Sequence, residues 1–538
     1  MYNYLILGLV AAHSVHSAAP CTPATFNSII HGHGRSGDVN VNYAIPFPTG
    51  SSTFAPSPAF PMNATDLPEL CGVSVRVTSS ESSAYNFAVF LPTNWNNRIL
   101  TTGNGGFNGG INYLDMATYS HYGFATVSTD TGHNSTAIDG SWALNEPEKT
   151  IDWGYRAMHG SVELAKTIVD GYYSNLQEGK CLIEKSYYVG CSTGGRQGLR
   201  ETQLHPDSFD GVLAGAPAWW TNHLQTWTTY VAQQNLPTSK PGHVSSDQFA
   251  AYTVEFLKQC DSQDGVADQI VQTPYQCQFD YKPLSCDLSS ANQSVCFDSA
   301  QADTLQKLLS PFTAPDGTFL FPGFAPGSDP GILSTAANPL GYGFLQWFVY
   351  NDTTWNYTIF SYKDVEAADR VNPGQATAQD FDISPFKNRG GKIIMYHGLA
   401  DPLIPPGSSD YYYAATQKSL RSSDLTDFFR FFHIPGMGHC GMNAGTKSAP
   451  WYIAAAGQTI AGSSYGVPGF MDAKHDALLA LMDWVENGTA PDEIVATKYG
   501  NDSVAGGVEL QRPLCPVPKV ATFDGSGEWH DAENWTCQ

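Results

Sequence analysis

Three side chains of this sequence are candidates for nucleophilic catalysis: Ser192, Asp401 and His439. Ser192 is the centre of Gly-Cys-Ser-Thr-Gly at residues 190–194, a G-x-S-x-G pattern whose glycines allow a strained turn that exposes the serine hydroxyl. In such a set the serine attacks an acyl carbon and the histidine takes its proton, while the aspartate orients the imidazole and stabilises its cation. The three residues therefore predict acyl transfer or ester hydrolysis.

Each of the three residues also has an ordinary structural interpretation. The glycine-serine pattern arises by chance in turns, Asp401 could cap a helix, and His439 could be a loop histidine. His397 and His433 compete for the role of base, but each lies within a strand-like run. The chain order of Ser192, Asp401 and His439 favours the catalytic interpretation, because it is the order found in α/β-hydrolases.

The elements that must position these residues are predicted to form an α/β sheet. Short β-branched and aromatic runs typical of strands occur at 86–91, 98–101, 124–128, 185–189, 209–216, 392–397 and 428–433. Helical spacing of apolar residues or helix-forming composition marks 153–172, 196–204 and 478–487. The repeated order of strand and helix predicts a doubly wound parallel sheet with active-site residues at the carboxyl ends of its strands. We predict an α/β-hydrolase fold.

Two segments depart from this alternation. Residues 21–85 mix Pro, Ser and Gly with one alternating run at 73–77, and are predicted to form an irregular N-terminal wrap that a Cys21–Cys71 bond could close. Residues 219–385 are rich in aromatic residues, contain four cysteines and lack the strand and helix rhythm. We predict a lid domain there, inserted between catalytic parts at 18–218 and 386–538. Its aromatic side chains either line a ligand pocket or fill the lid's own core.

Composition and charge restrict the class of protein. The chain has 538 residues, of which 42% are hydrophobic and 14% charged, which is typical of a globular protein. The net charge of −23 argues against nucleic acid or an anionic membrane surface as a partner, because both would repel it. The sequence leaves the oligomeric state open.

Several features predict secretion. Residues 4–12 are apolar and are followed by small residues up to position 18, so we expect a signal peptide at 1–17. No other run approaches 18 uninterrupted apolar residues. Eleven cysteines and eight N-x-S/T sequons fit an oxidising secretory route. The predicted glycosylation sites are Asn63, Asn134, Asn292, Asn351, Asn356, Asn487, Asn501 and Asn534.

Neither the cysteines nor the glycine-rich segment at 103–110 matches a common metal or phosphate motif. There is no C-x-x-C pair of a zinc site, and Cys181 is the expected free thiol of the odd set. The 103–110 segment lacks the Lys-Ser/Thr ending of a P-loop. It is either a flexible turn or the loop that completes an oxyanion hole, with donors from the N–H groups of Thr193 and of Gly105 or Gly106.

Three motifs together resemble the fungal tannase and feruloyl esterase family over nearly the whole mature chain. They are Gly-Cys-Ser-Thr-Gly-Gly at 190–195, His-Gly-Leu-Ala-Asp at 397–401 and Gly-Met-Gly-His-Cys at 436–440. The segments 94–98, 103–107 and 130–133 also look like family signatures. The cysteine beside both serine and histidine is the most specific feature, because ordinary lipases and carboxylesterases lack that pair.

The resemblance implies a secreted serine esterase that hydrolyses esters of phenolic acids. Its substrates would be hydroxycinnamates on plant cell-wall polysaccharides or gallates in tannins. The length and the form of the lid favour a feruloyl esterase, with tannase as the alternative. A different class, a non-catalytic hydrolase-like binding module, is disfavoured because all three triad positions are present. No organic cofactor is expected.

The resemblance also implies a structural calcium ion in the lid. Three carboxylates within eight residues, together with Gly265, suit a hard cation that takes six to eight oxygen ligands, although the spacing is not that of an EF-hand. An acidic surface turn is the alternative. By the resemblance, Asp261, Asp264 and Asp268 would bind calcium through side chains, and Val266 and Ile270 through backbone carbonyls.

Four further disulfide bonds are expected from this resemblance. They join Cys191 to Cys440, Cys260 to Cys277, Cys286 to Cys296, and Cys515 to Cys537. The Cys191–Cys440 bond would bring the neighbouring Ser192 and His439 together. The alternative is that Cys191 is only a small buried residue in the turn.

Overall fold

The strand-like runs of the sequence assemble into one large sheet in the computed structural model. The structure describes residues 18–32, 38–53, 56–174, 182–288, 292–443 and 448–538. The predicted signal peptide at 1–17 and the predicted free thiol at Cys181 lie outside the described residues.

The described residues form fifteen strands. In chain order they are Val39–Phe47 (β1), Leu70–Thr78 (β2), Ala84–Pro92 (β3), Arg98–Thr102 (β4), Ala125–Thr129 (β5), Lys185–Cys191 (β6), Gly211–Gly215 (β7), Phe312–Thr313 (β8), Phe319–Phe321 (β9), Lys392–Gly398 (β10), Phe429–Ile434 (β11), Ile494–Tyr499 (β12), Val508–Leu514 (β13), Ala521–Phe523 (β14) and Trp535–Cys537 (β15).

The α-helices of the same described ranges alternate with these strands. They are Pro23–Gly32 (α1), Tyr113–Ser120 (α2), Pro147–Ile151 (α3), Ala157–Tyr173 (α4), Thr193–Leu204 (α5), Thr221–Asn235 (α6), Ser246–Cys260 (α7), Ser299–Leu309 (α8), Pro339–Gly343 (α9), Tyr362–Val371 (α10), Ser384–Asn388 (α11), Gly407–Leu420 (α12) and Ala477–Asn487 (α13). The strands and helices predicted from the sequence are confirmed, with shifts of a few residues at their ends.

The main sheet has the order β1-β2-β3-β5-β4-β6-β7-β10-β11. Neighbours from β5 through β11 pair in parallel, as predicted, whereas β1, β2, β3 and β5 pair antiparallel. The prediction of an irregular wrap at 21–85 was therefore wrong for much of that segment, which supplies α1, β1 and β2. Pro46 made β1 difficult to recognise as a strand in the sequence. A proline is tolerated there because β1 is an edge strand of the main sheet, with no strand paired on its outer side in the described residues.

The central strands are buried on both faces. In β6, Tyr187 and Val189 belong to the hydrophobic cluster that includes α13, while Tyr188 belongs to the opposite cluster with α4 and α5. This alternation follows from the two-residue period of a strand. It explains why the run at 185–189 is continuously apolar, as in parallel strands covered by helices. Full burial of each large apolar side chain contributes about 1.5–3 kcal/mol to the free energy of unfolding.

The segment between β7 and β10 carries α6 to α11 and has a hydrophobic cluster of its own. Trp227, Phe321 and Phe324 are buried in it and pack against one another, with ring centroids 5.5 and 4.8 Å from Trp227. Many aromatic residues of this segment thus fill its core. Phe348 instead packs against Phe107 of the glycine-rich loop, at 4.8 Å between centroids.

The described part of the chain contains no helix with the length and apolar character needed to cross a membrane.

Candidate active site

Ser192 lies in a strained turn between β6 and α5. Its backbone has φ +62° and ψ −123°, a conformation that L-residues rarely adopt outside functional turns. The Ser192 N–H donates to the carbonyl of Gly215 at 3.0 Å, and its carbonyl accepts from the N–H of Ala218 at 3.0 Å. A side chain at Gly190 would come within 2.7 Å of the Gly194 backbone, so this turn needs glycine.

His439 and Asp401 are joined by a hydrogen bond. The Nδ1 atom of His439 lies 2.7 Å from Oδ2 of Asp401, while Oδ1 of Asp401 accepts from the N–H groups of Leu403 and Ile404 at 2.8 and 2.9 Å. The carboxylate is fully buried. Burial alone would raise the pKa of Asp401, but the charge of His439 and hydrogen bonds from His397 and His439 outweigh it and hold that pKa well below its usual range. Asp401 is therefore ionised and orients the imidazole.

His397 contacts the same carboxylate. Its Nε2 lies 3.1 Å from Asp401 Oδ2 and 2.9 Å from the carbonyl oxygen of Ile404. Both partners are acceptors, so Nε2 carries the proton and donates, and Nδ1 accepts from the Ser409 hydroxyl at 2.8 Å. From the sequence, His397 was considered only as a competitor of His439 for the role of base. Its position four residues before Asp401, at the end of β10, was the sequence feature that could have indicated this contact with the carboxylate.

A disulfide bond connects the turn that contains Ser192 to the loop that contains His439. Cys191 and Cys440 are bonded, with Cα atoms 5.9 Å apart, and they are 249 positions apart in the chain. Because they flank Ser192 and His439, the bond limits how far the serine and histidine backbones can separate. The Cys440 carbonyl also accepts from Nε2 of Gln458 at 3.2 Å, which fixes the histidine loop further.

The other expected disulfides are also present in the structure. Cys21–Cys71, Cys260–Cys277, Cys286–Cys296 and Cys515–Cys537 have Cα separations of 5.7, 5.8, 5.0 and 5.5 Å.

The glycine-rich loop after β4 lies against the Ser192 turn. The hydroxyl of Thr193 donates to the Gly106 carbonyl at 2.9 Å, and the Asn104 N–H donates to Gln197 Oε1 of α5 at 3.0 Å. The Gly105 N–H already donates to Asn108 Oδ1 at 3.0 Å. Of the two glycines predicted as oxyanion donors, Gly106 is therefore the better candidate, since the N–H of Gly105 is engaged within its own loop.

His133 forms a hydrogen bond with the backbone of this glycine-rich loop. Its Nε2 lies 2.8 Å from the Phe107 carbonyl oxygen, which also accepts from Ser135 Oγ and Trp142 Nε1 at 3.1 Å each. Burial lowers the pKa of His133 to about 4, so the ring is neutral and serves as a donor. The resemblance had singled out the 130–133 segment without assigning this role.

Known proteins resemble this chain in sequence and in fold. The family model described as "Tannase and feruloyl esterase" matches residues 69–538. The chain belongs to the tannase and feruloyl esterase family. It is 37% identical to the probable feruloyl esterase B-1 of Neosartorya fischeri over 477 residues, 87% of this chain and 86% of that protein. It is 35% identical to the probable feruloyl esterase B-2 of Aspergillus terreus over 511 residues, 93% of this chain and 92% of that one.

Solved structures of the family share the fold. The crystal structure of feruloyl esterase B from Aspergillus oryzae superposes with a TM-score of 0.85 at 32% identity, over 96% of this chain and 100% of that chain. Tannin acyl hydrolase from Aspergillus niger superposes with a TM-score of 0.72 at 20% identity, over 97% of this chain and 96% of that chain. The predicted α/β-hydrolase fold is confirmed, and this member of the family is a carboxylic ester hydrolase.

The acidic loop predicted to bind calcium follows α7 in this family member. Asp261 Oδ1 accepts from the N–H groups of Asp268 and Ile270 at 3.1 Å each, and Asp264 Oδ1 accepts from the N–H of Val266 at 3.1 Å. Oδ2 of Asp264 is buried without a hydrogen-bond partner. Burial, and after it the charge of Asp268, raises the pKa of both Asp261 and Asp264.

Arg512 offsets part of this negative charge, because its Nη2 lies 2.6 Å from Asp268 Oδ2. The three aspartates do not bring one oxygen each within 4.8 Å of one another. The oxygen-only donors, the repulsion between acids and the unpaired Asp264 Oδ2 nevertheless fit a hard cation.

The predicted sequons lie on the surface. Seven of the eight asparagines are exposed, and Asn534 is half-buried, with its Nδ2 donating to the Glu528 carbonyl at 2.9 Å.

Proposed function

We propose that this chain is a secreted serine esterase that hydrolyses phenolic acid esters, most specifically feruloyl esters of plant cell-wall polysaccharides. The observation that carries the proposal is the His439–Asp401 hydrogen bond of 2.7 Å beside the disulfide between Cys191 and Cys440. The bond supports His439 as the base, and the disulfide connects that base to the strained turn of Ser192.

In this mechanism the Oγ of Ser192 attacks the ester carbonyl carbon while Nε2 of His439 removes the hydroxyl proton. Asp401 stabilises the imidazolium, which then protonates the leaving alcohol. The N–H groups of Thr193 and Gly106 are proposed to stabilise the oxyanion. Water, activated by His439, attacks the resulting acyl-enzyme and releases the phenolic acid, returning the proton to Ser192.

The names of the relatives support a feruloyl ester, and not a gallate ester, as the substrate. The compared proteins at 32–37% identity are described as feruloyl esterases B, whereas the tannin acyl hydrolase is only 20% identical and supports the fold alone. Comparison of kcat/KM for methyl ferulate and methyl gallate tests this. We expect methyl ferulate to be preferred. Preference for the gallate would make the chain a tannase, and no turnover of either ester by folded protein would favour the binding module.

Secretion is supported by five disulfide bonds and by the surface positions of the sequons. Expression of the full chain in a fungal host tests it. We expect protein in the medium that begins near Ala18 and loses mass on treatment with an N-glycosidase. Unglycosylated protein retained in the cell would contradict this part of the proposal.

Calcium in the lid is part of the same proposal. Asp261, Asp264 and Asp268 would hold the ion with the carbonyls of Val266 and Ile270, and the ion would neutralise the acids of this loop. Metal analysis is expected to find calcium, and chelation to lower the Tm of wild-type protein. Asp264→Asn should weaken both results, whereas the control Asp287→Asn, at an exposed position outside the loop, should change neither. Calcium-free protein with a Tm insensitive to chelator would refute the site.

A further inference from the structure

A second cluster of ligand-type side chains lies away from the active site. His159 is on α4, and Glu201 and His205 are at the end of α5. The imidazole rings of the two histidines are stacked, with centroids 3.3 Å apart and planes at 10°. Glu201 is nine positions after Ser192, which corresponds to roughly 13 Å along a helix. The cluster is therefore on the nucleophile helix but at its opposite end.

Each member of this cluster has a buried polar atom without a hydrogen-bond partner. These atoms are Nδ1 of His159, Oε1 of Glu201 and Nε2 of His205. Glu201 is 1% exposed, so water does not readily satisfy its carboxylate. Buried polar groups are normally paired. Here Oε1 of Glu201 and Nε2 of His205 have no partner, and Nδ1 of His159 has only the 3.4 Å ion-pair contact with Oε2 of Glu201, so the cluster needs an explanation.

The distances within the cluster suit a metal ion. One ligand atom from each of the three residues lies within 4.8 Å of the others, and no other such group of His, Cys, Asp or Glu is found among the residues described. His159 Nδ1 and Glu201 Oε2 are 3.4 Å apart. Two ligands at about 2.1 Å from a tetrahedral ion are separated by about 3.4 Å. The stacked rings must tilt apart so that both nitrogen lone pairs can point at one ion.

The surroundings of the cluster favour a cation. The Ser208 hydroxyl donates to Glu201 Oε2 at 3.0 Å and orients the carboxylate, as outer hydrogen bonds do at metal sites. The carboxylates of Glu163 and Asp207 lie close enough to act on His159. Both histidines are half-buried, so an ion can reach them from solvent.

We propose that His159, Glu201 and His205 form a binding site for a divalent transition metal of the zinc class, with water in the fourth position. Two imidazoles and one carboxylate suit zinc, whereas calcium takes oxygen ligands only. The ion joins α4 to α5 and stabilises the packing of the nucleophile helix. It takes no part in ester hydrolysis.

Zinc titration of the full, calcium-saturated protein tests this site, because the lid loop is then already supplied with its own ion. We expect the Tm to rise by on the order of 2 °C when free zinc is a hundredfold above Kd. Cobalt should bind in its place and give the visible absorption of a tetrahedral nitrogen and oxygen site. His205→Gln and His159→Gln should each abolish both signals.

His121→Gln is the matched control, since His121 stacks on Tyr465 outside the cluster and should leave both signals unchanged. If one cluster variant fails to fold, the other still tests the site. The proposal is overturned if zinc leaves the wild-type Tm unchanged, or if the shift and the cobalt spectrum persist in the folded glutamine variants.

Discussion

The candidate active-site edge of the sheet and the predicted lid, between β7 and β10, contain disulfide bonds that span very different lengths of chain. At the sheet edge, Cys191 is bonded to Cys440 across 249 positions, whereas the two lid disulfides span 17 and 10 positions. Lid helices α7 and α8 also begin with capping boxes formed by residues three positions apart. The disulfides and helix caps of the predicted lid thus join residues close in the chain, although its aromatic core also joins distant ones such as Trp227 and Phe321. The disulfide of the candidate active site joins residues far apart in the chain.

Removing the long-range disulfide tests this difference with the largest expected effect. Replacing both Cys191 and Cys440 with Ser should lower kcat by about 10²-fold or more, because a displacement of about 1 Å between His439 and Ser192 costs that much. The chain-entropy model assigns this closure roughly 5 kcal/mol of stability, an upper figure. Steady-state kinetics on folded variant protein check the prediction.

The matched control breaks a lid bond instead. Replacing Cys286 and Cys296 with Ser should lower the Tm and leave kcat near the wild-type value, because this bond closes only a short loop of the lid. Equal effects of the two double variants on kcat would contradict the proposed role of the active-site bond.

The glycine loop provides a comparison within the active-site edge. Gly106 has φ +50°, and a side chain there would come within 2.3 Å of the Ala137 carbonyl oxygen, whereas at Gly105 it would meet nothing closer than 3.7 Å. Gly106→Ala should therefore displace the proposed oxyanion donor and reduce kcat by on the order of 10–10²-fold. Gly105→Ala should remain close to wild type. The reverse ranking in kcat would assign the donor to Gly105.

His397 is predicted to act through Asp401. His397→Ala removes a donor from the buried carboxylate and should lower kcat about tenfold with little change in KM, because His397 is proposed to act on the carboxylate and not on the ester. His397→Gln, which can still donate an N–H, should recover part of the loss. A rise in KM with unchanged kcat, or no rescue by Gln, would mean that His397 only fills space.

A further prediction concerns the effect of pH on the stability of the catalytic part of the chain. Burial raises the pKa of Asp115, Asp130 and Asp476 to about 6. The folded state therefore holds these protons more tightly than the unfolded state, and stability present below pH 4 is lost as the pH rises through 6. We expect the Tm to fall between pH 4 and pH 7.

Asp476→Asn should reduce this fall in Tm, because a shift of about two pKa units corresponds to on the order of 3 kcal/mol in the pH-dependent free energy of unfolding. The amide can still accept from the N–H groups of Leu478 and Leu479, so the cap of α13 is kept. An unchanged pH dependence in folded Asp476→Asn protein would exclude this residue as its source.

The range of a contact along the chain explains how much of the candidate site the sequence could predict. Ser192, Asp401 and His439 each follow a strand, so their order in the chain predicted that they lie at one edge of the sheet. The choice between Gly105 and Gly106 required the hydrogen bond of Asn108, which the sequence does not show. The interaction of His397 with Asp401 likewise depends on how the chain turns after β10.

One strand and one ion pair also could not be predicted from the sequence pattern. β1 contains a proline and is half-exposed, so it lacked the signature of a sheet strand until its pairing with β2 was known. The pairing of Arg512 with Asp268 joins residues 244 positions apart, and no local pattern indicates it.

Ser192→Ala is the most direct test of the central claim, which is that Ser192 is the nucleophile activated by His439. The hydroxyl contributes little packing, so the variant should fold with a Tm near that of the wild type. Its kcat/KM for methyl ferulate should fall by on the order of 10⁴-fold or more. A pure, folded variant that kept a tenth of the wild-type activity would contradict the account.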